Sequence, residues 1–249
     1  MVIMNNLNNL NCEYYNDLDT NFKQAYELCE KNYSHDELLD MLKDGNIPQK
    51  QIAALKFDSV NNKNDVLALL NNLTGCDGKI REAVALKINS LLTKDEHTKE
   101  LFAELSSKVF ADATIDINAN ICRLIINSAI LLKNHIEFST KYTNLILNYT
   151  NEALNELEKF IFRDKKYVIN KQLFKLYWCL EAISEFYEYT NETILEDIIK
   201  KCARQDEYTI REKAALIILK TNKFSDIRNT LMNDENYYVR EALHHPSFL

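Results

Sequence analysis

The side chains in this chain that could act as nucleophiles or metal ligands are six cysteines and five histidines, and neither set is spaced for the task. Cys12, Cys29, Cys76, Cys122, Cys179 and Cys202 are scattered and form no CxxC pair, the unit from which zinc knuckles are built. His35, His97 and His135 stand alone near expected helix boundaries. His244 and His245 are neighbours in a last helical turn, where adjacent side chains point ~100° apart and chelate poorly. A cation at that helix end is instead favoured by the helix dipole. Three glycines cannot supply a phosphate-cradling loop, and no HExxH helix is present. Cys–His catalysis needs a pairing in space that spacing does not reveal. No catalytic, cofactor-binding or metal-ligating residue is therefore assigned.

The most unusual stretch is aromatic. Phe160-Ile161-Phe162, Tyr167, Phe174, Tyr177-Trp178, Phe186-Tyr187 and Tyr189 crowd one segment, and Trp178 is the single tryptophan. Lys165, Lys166, Lys171 and Lys175 lie among these rings. Aromatic residues at helical spacing form core, or they form a contact surface in which large rings anchor a partner. Lys165, Lys166, Lys171, Lys175 and Trp178 are the candidate binding surface on the second of these readings.

The elements that must position these residues are helical. Three glycines and two prolines are too few for a protein of tight β-turns and glycine-rich loops. The chain is 46% hydrophobic and 27% charged, which matches an ordinary folded protein and excludes disorder as its resting state. No run reaches the ~18 apolar residues of a membrane-spanning helix. The Asn-rich segment 1–15 has no Lys or Arg, so no secretory signal is expected. Reduced thiols and a cytoplasmic location follow. The net charge of −7 weighs against a nucleic-acid-coating role, which is driven by phosphate neutralisation.

Helical periodicity begins near Asp17, with Phe22, Ala25, Tyr26, Leu28 and Cys29 on one expected buried face. Ser34 with Glu37, and Thr93 with Glu96, read as capping boxes. Gly45 reads as a left-handed C-cap, and Pro48 fits a first helical turn. Gly75 and Gly78 fall in a turn. The chain then divides into six hairpins: 36–44 with 47–60, 64–74 with 78–93, 95–111 with 115–133, 152–164 with 167–188, 192–204 with 208–221, and 225–232 with 236–245. Residues 1–33 read as an N-terminal extension with one helix, and 34–249 as a repeat domain. An insertion near 134–151 holds a further expected helix from Phe138 to Tyr149.

The second helices share a pattern. It runs Lys50-Gln51-Ile52-Ala53-Ala54-Leu55, Arg81-Glu82-Ala83-Val84-Ala85-Leu86, Arg211-Glu212-Lys213-Ala214-Ala215-Leu216 and Arg240-Glu241-Ala242-Leu243. An Asp and then an aliphatic residue precede three of them: Asp77 with Ile80, Asp206 with Ile210, Asp234 with Val239. The third hairpin matches at Ile115, Ala119, Ile121 and Leu124, with Asp116 where Arg is expected, and the fourth matches only in apolar spacing. Small alanines let an inner helix approach its neighbour closely, and the aliphatic positions fill the space between repeats.

This pattern resembles the HEAT-repeat family over residues 34–245, most specifically at 77–92, 206–220 and 234–243. The resemblance implies an all-α fold, an α-solenoid of about six HEAT-like hairpins in a right-handed superhelix. It further implies that Asp77, Arg81, Asp206, Arg211, Asp234 and Arg240 form structural ladders between repeats. The function it implies is a non-enzymatic scaffold that holds a protein or peptide on its concave face. The alternative is an enzyme on the same frame, similar to alkylpurine DNA glycosylases or to bilin lyases, though no motif of either can be placed on this chain. Fold alone does not choose between them.

Overall fold

A helix leaves its first four N–H groups without partners, so a chain of many short helices must cap each start from a side chain. This chain does so mostly with asparagine. Its computed structural model describes residues 20–159 and 166–244, with side chains omitted at 166 and 167, and every regular element among them is helical. The helices are α1 Thr20–Cys29, α2 His35–Asp44, α3 Ile47–Lys56, α4 Lys63–Leu70, α5 Gly78–Leu92, α6 Glu96–Leu105 and α7 Ser107–Thr114. They continue with α8 Ala119–Leu131, α9 Ile136–Lys159, α10 Lys166–Phe186, α11 Glu192–Cys202, α12 Tyr208–Thr221, α13 Ser225–Met232 and α14 Tyr237–Glu241. A 3-10 turn, Tyr187–Tyr189, follows α10. No described helix is long and apolar enough to cross a membrane.

Asn46, Asn62, Asn118, Asn191 and Asn236 each accept a backbone N–H from their own helix, at α3, α4, α8, α11 and α14. Ser34 and Glu37 form the expected capping box on α2, with Ser34 N donating to Glu37 Oε2 at 2.7 Å. Asn46 and Gln49 form another on α3, with Pro48 in the first turn. Thr93 and Glu96 do not: Asp95 is the cap of α6, accepting from Thr98 N at 2.7 Å. A carboxylate two residues nearer the helix displaces the hydroxyl, since an anion at the N-cap also meets the positive end of the dipole. Gly45 is not left-handed. Its backbone is extended, φ −69°, and a Cβ there would lie 2.4 Å from the Met41 carbonyl oxygen and 2.8 Å from Gln49 Cβ. Closeness of packing, and not the sign of φ, demands glycine.

The chain forms two compact units, one ending at Leu91 and one starting at Leu92. In the first, α3 packs against α1 and α2, and α2 against α4. Leu42, Ala53, Ala54, Phe57, Val66 and Leu69 are fully buried. Asn72 is buried among them, and its amide donates to Leu42 O at 2.8 Å and Ala68 O at 2.9 Å while accepting from Lys50 Nζ at 3.1 Å. The expected buried face of α1 is thinner than its periodicity promises: Leu28 is buried, but Phe22 is 54% exposed and Cys29 is exposed.

In the second unit, segment 95–111 is two helices, α6 and α7, meeting at buried Ser106. Residues 138–149 and 152–164 are not separate helices up to Lys159, because α9 runs unbroken over 24 residues. Its apolar residues Phe138, Tyr142, Ile146, Ala153 and Leu154 hold one face throughout, so nothing interrupts it. It pairs with α10. A line of rings runs through this core, Phe102–Phe110–Phe138–Tyr142–Phe186, with centroids 5.1–6.4 Å apart. The Tyr142 hydroxyl inside it shares a hydrogen bond with Thr114 Oγ1 at 2.8 Å.

The repeated arginine does the same task three times. Arg81 donates to the Cys76 carbonyl, Arg211 to those of Gln205 and Asp206 at 2.8 Å, and Arg240 to those of Asp234 and Glu235. Each ties the second helix back to its preceding turn. Arg211 also grips Asp234, 23 residues ahead, in a two-point bond of 2.7 and 3.0 Å. Both side chains are 9% exposed. The alanines of the pattern are buried, as are Leu216 and Leu243, but Leu55 and Leu86 are 40% and 51% exposed.

Two stability outcomes follow. The Arg211 guanidinium holds the Asp234 carboxyl below the usual carboxylate range, chiefly through its hydrogen bond against the opposing effect of burial, with the Asn236 backbone N–H and then the Arg211 charge adding to it. A carboxyl lowered on folding contributes stability above its unfolded value of ~3.9 and loses it as pH falls through the folded value. Asp234→Ala should cost about 1.5–3 kcal/mol near neutral pH in urea unfolding, and the gap from the parent should close below about pH 4. Gly45→Ala should cost about 1–3 kcal/mol, because the new methyl meets backbone that cannot swing aside.

Candidate functional site: an aromatic groove in the second unit

Helix α10 presents Asn170, Leu173, Phe174, Tyr177 and Trp178 at i, i+3, i+4, i+7 and i+8, a single stripe. Glu207 and Thr209, at the start of α12, complete a cavity of about 370 Å³ with them. The rings are fixed edge to face: Trp178 is 5.3 Å from Tyr177 and 6.2 Å from Phe174. Phe174 is 36% exposed, so the stripe is neither pure core nor pure surface. The Trp178 indole N–H is buried without a hydrogen-bond partner among the described residues.

Glu207 is the N-cap of α12. Its Oε1 takes the N–H and hydroxyl of Thr209 at 3.5 and 3.3 Å. Its other oxygen makes no hydrogen bond or ion pair among the described residues. Next to it Tyr208 is 38% exposed and stacks on Tyr238 at 6.1 Å, which meets Tyr237 edge-on at 5.7 Å. Tyr237 and Tyr238 are 59% and 55% exposed.

The two expected lysines whose side chains are described go elsewhere. Lys175 turns to α9, pairing with Glu152 at 2.9 Å and covering the Tyr149 ring at 4.9 Å. Lys171 is exposed and does not line the groove. Lys165 and the Lys166 side chain lie outside the described residues, as do Phe160 to Phe162 and the Tyr167 side chain. Of the three candidates whose side chains are described, Lys171, Lys175 and Trp178, only Trp178 is in the cavity wall. Lys213, which the sequence reading does not single out, reaches over Tyr177 at 4.7 Å and pairs with Glu181. Glu207, Thr209 and Tyr208 also escape that reading, because glutamate is not among the favoured helix-capping residues.

A second cavity, of about 430 Å³, lies in the first unit between the turn before α2 and the end of α3. His35 lines it, and its Nε2 is 3.1 Å from Oδ2 of fully buried Asp65. Asn61 N–H donates to the same oxygen at 2.7 Å, while Oδ1 of Asp65 is buried and unpartnered. Ser59 also lines this space, yet no described hydrogen bond joins it to His35. The pair anchors the start of α2 to α4. Among the described residues no cluster of three His, Cys, Asp or Glu could hold a metal ion.

The thiols of the second unit are chemically quiet. Burial pushes Cys122 and Cys179 up to about 12, and raises Cys202 also. With thiolate the reactive form, iodoacetamide at about pH 8 should label exposed Cys29 in the native protein. Cys122, Cys179 and Cys202 should be labelled only after unfolding, as peptide mass spectrometry would show.

No protein-family model matches this chain, and no curated protein matches it. The crystal structure of an engineered protein is similar at 10% identity and a TM-score of 0.44, covering 85% of this chain and 94% of that one.

Proposed function

We propose that this protein is a non-enzymatic helical-repeat scaffold of HEAT-like hairpins, an α-solenoid, that holds a segment of a protein partner. The groove of Phe174, Tyr177 and Trp178 carries the reading, because it sets one exposed ring and two half-buried ones in a cavity wall near exposed Tyr208, which stacks on exposed Tyr238. Aromatic anchors of this kind dominate protein–protein contacts, since they bury much area for little lost side-chain freedom. The recurrence of one Arg task at Arg81, Arg211 and Arg240 supports the repeat reading, each arginine closing its own turn. Asp77 and Asp234 support it too, each accepting a backbone N–H two residues ahead, from Lys79 and Asn236. No described lysine or arginine lines the groove to neutralise phosphate, which weighs against the DNA-glycosylase alternative.

The test is capture on immobilised protein from an extract of the source organism. A stoichiometric protein should be retained by the parent and by Lys171→Ala, and lost with Phe174→Ser. Phe174 is partly exposed, so Phe174→Ser should cost about 1–2 kcal/mol and leave the helical circular dichroism intact. Equal capture by both variants removes the groove from the function. Salt-dependent DNA binding with release of methylated bases would move the protein to the glycosylase class.

A further inference from the structure

We infer that the aromatic groove is a cation pocket, built to take the lysine or arginine side chain of the partner segment between the rings of α10 and the carboxylate of Glu207. This rests on the proposed function and specifies what the groove recognises.

The wall chemistry points one way. Besides the weakly acidic Tyr177 phenol, Glu207 is the only ionisable group among the described lining residues; the others are Asn170, Leu173, Phe174, Trp178 and Thr209. The faces of aromatic rings are electron-rich and attract cations within ~6 Å. A carboxylate at the rim adds the opposite charge at short range. An anion would meet both repulsions at once, and a neutral apolar group would leave Glu207 beside it without a partner. Glu207 has an oxygen to spare, because its capping bonds use Oε1 alone. A cavity of about 370 Å³ admits one long side chain.

The same unit already uses its rings this way. Lys213 covers Tyr177 at 4.7 Å, and Lys175 and Lys108 lie over Tyr149 at 4.9 and 5.4 Å, each ammonium also paired to a carboxylate. In those three cases ring, ammonium and carboxylate come together from this chain. At Phe174, Trp178 and Glu207 the rings and the carboxylate are present, and no described lysine or arginine lines the cavity. The net charge of −7 favours a basic partner over the long range as well.

The single tryptophan makes the pocket its own reporter. The probes are three blocked tripeptides, identical but for a central lysine, arginine or norleucine, titrated against the fluorescence of Trp178. The lysine and arginine peptides should change the emission saturably, more weakly at high salt, and the norleucine peptide should not. Glu207→Gln keeps an oxygen for capping α12 and should weaken the basic peptides at least about fivefold, with the melting temperature nearly unchanged. Saturable binding of norleucine equal to lysine would overturn the cation pocket while leaving an apolar peptide groove, and so the proposed function, intact. Unchanged affinity in Glu207→Gln would also overturn it, as would no saturable response to any of the three. Loss of partner capture in Phe174→Ser alongside those results would show the scaffold reading standing without it.

Discussion

The described helices must stop and start again within a few residues, and the backbone groups bared at most of these breaks have to be satisfied without glycine. That constraint shapes the rest. Asparagine at five helix starts, with Ser34, Asp95 and Glu207 at three more, turns what would be exposed N–H groups into short side-chain bonds. The arginines close the same turns from the other side by taking their carbonyls. Each cap contributes about 1 kcal/mol, small singly, but the breaks are where an array of short helices would otherwise fray. With the turns held, alanines such as Ala53, Ala54, Ala214 and Ala215 bring helices together and the aliphatic core fills in around them.

The groove is a by-product of this economy. Glu207 is where it is because α12 needs a cap, and the cap occupies only half of a carboxylate. The stripe on α10 is where it is because α9 and α12 cover its other faces. Binding chemistry is thereby assembled from a helix end and a helix side, each of which has a structural reason to exist, and the rings are held edge to face by one another. Pre-set rings lose little freedom when a partner arrives, which is what makes a shallow groove useful.

Much of the helical architecture could be read in advance. The Ser34–Glu37 box, Pro48 in a first turn and the limits of many single helices follow from local patterns that the structure repeats. What could not be read depended on distance or on competition. Asn62, Asn118 and Asn191 look like loop residues until a helix is seen to begin after them. Asp95 and Thr93 both offer a cap, and only geometry chooses. Gly45 signals a helix end correctly for a different reason, the nearness of Met41 and Gln49. At the site, Trp178 stood out by rarity, but its pairing with Glu207 joins positions on separate helices, which periodicity within one helix cannot show. Lys171 and Lys175 share the rings' sequence neighbourhood but lie off the groove's stripe, since adjacent residues on a helix diverge by ~100°.

The shortness of the capping bonds has a kinetic side. Ser34 with Glu37, Asn62 with Asn64 and Asn236 with Tyr238 close loops of two or three residues, so they can form before any distant part of the chain arrives. Little loop-closure entropy is spent on them, and chains dominated by such near-neighbour contacts cross the folding barrier in about microseconds to milliseconds. A nascent chain of this protein would acquire its turns as they emerge, leaving the ring line from Phe102 to Phe186 as the slow, long-distance step that completes the second unit.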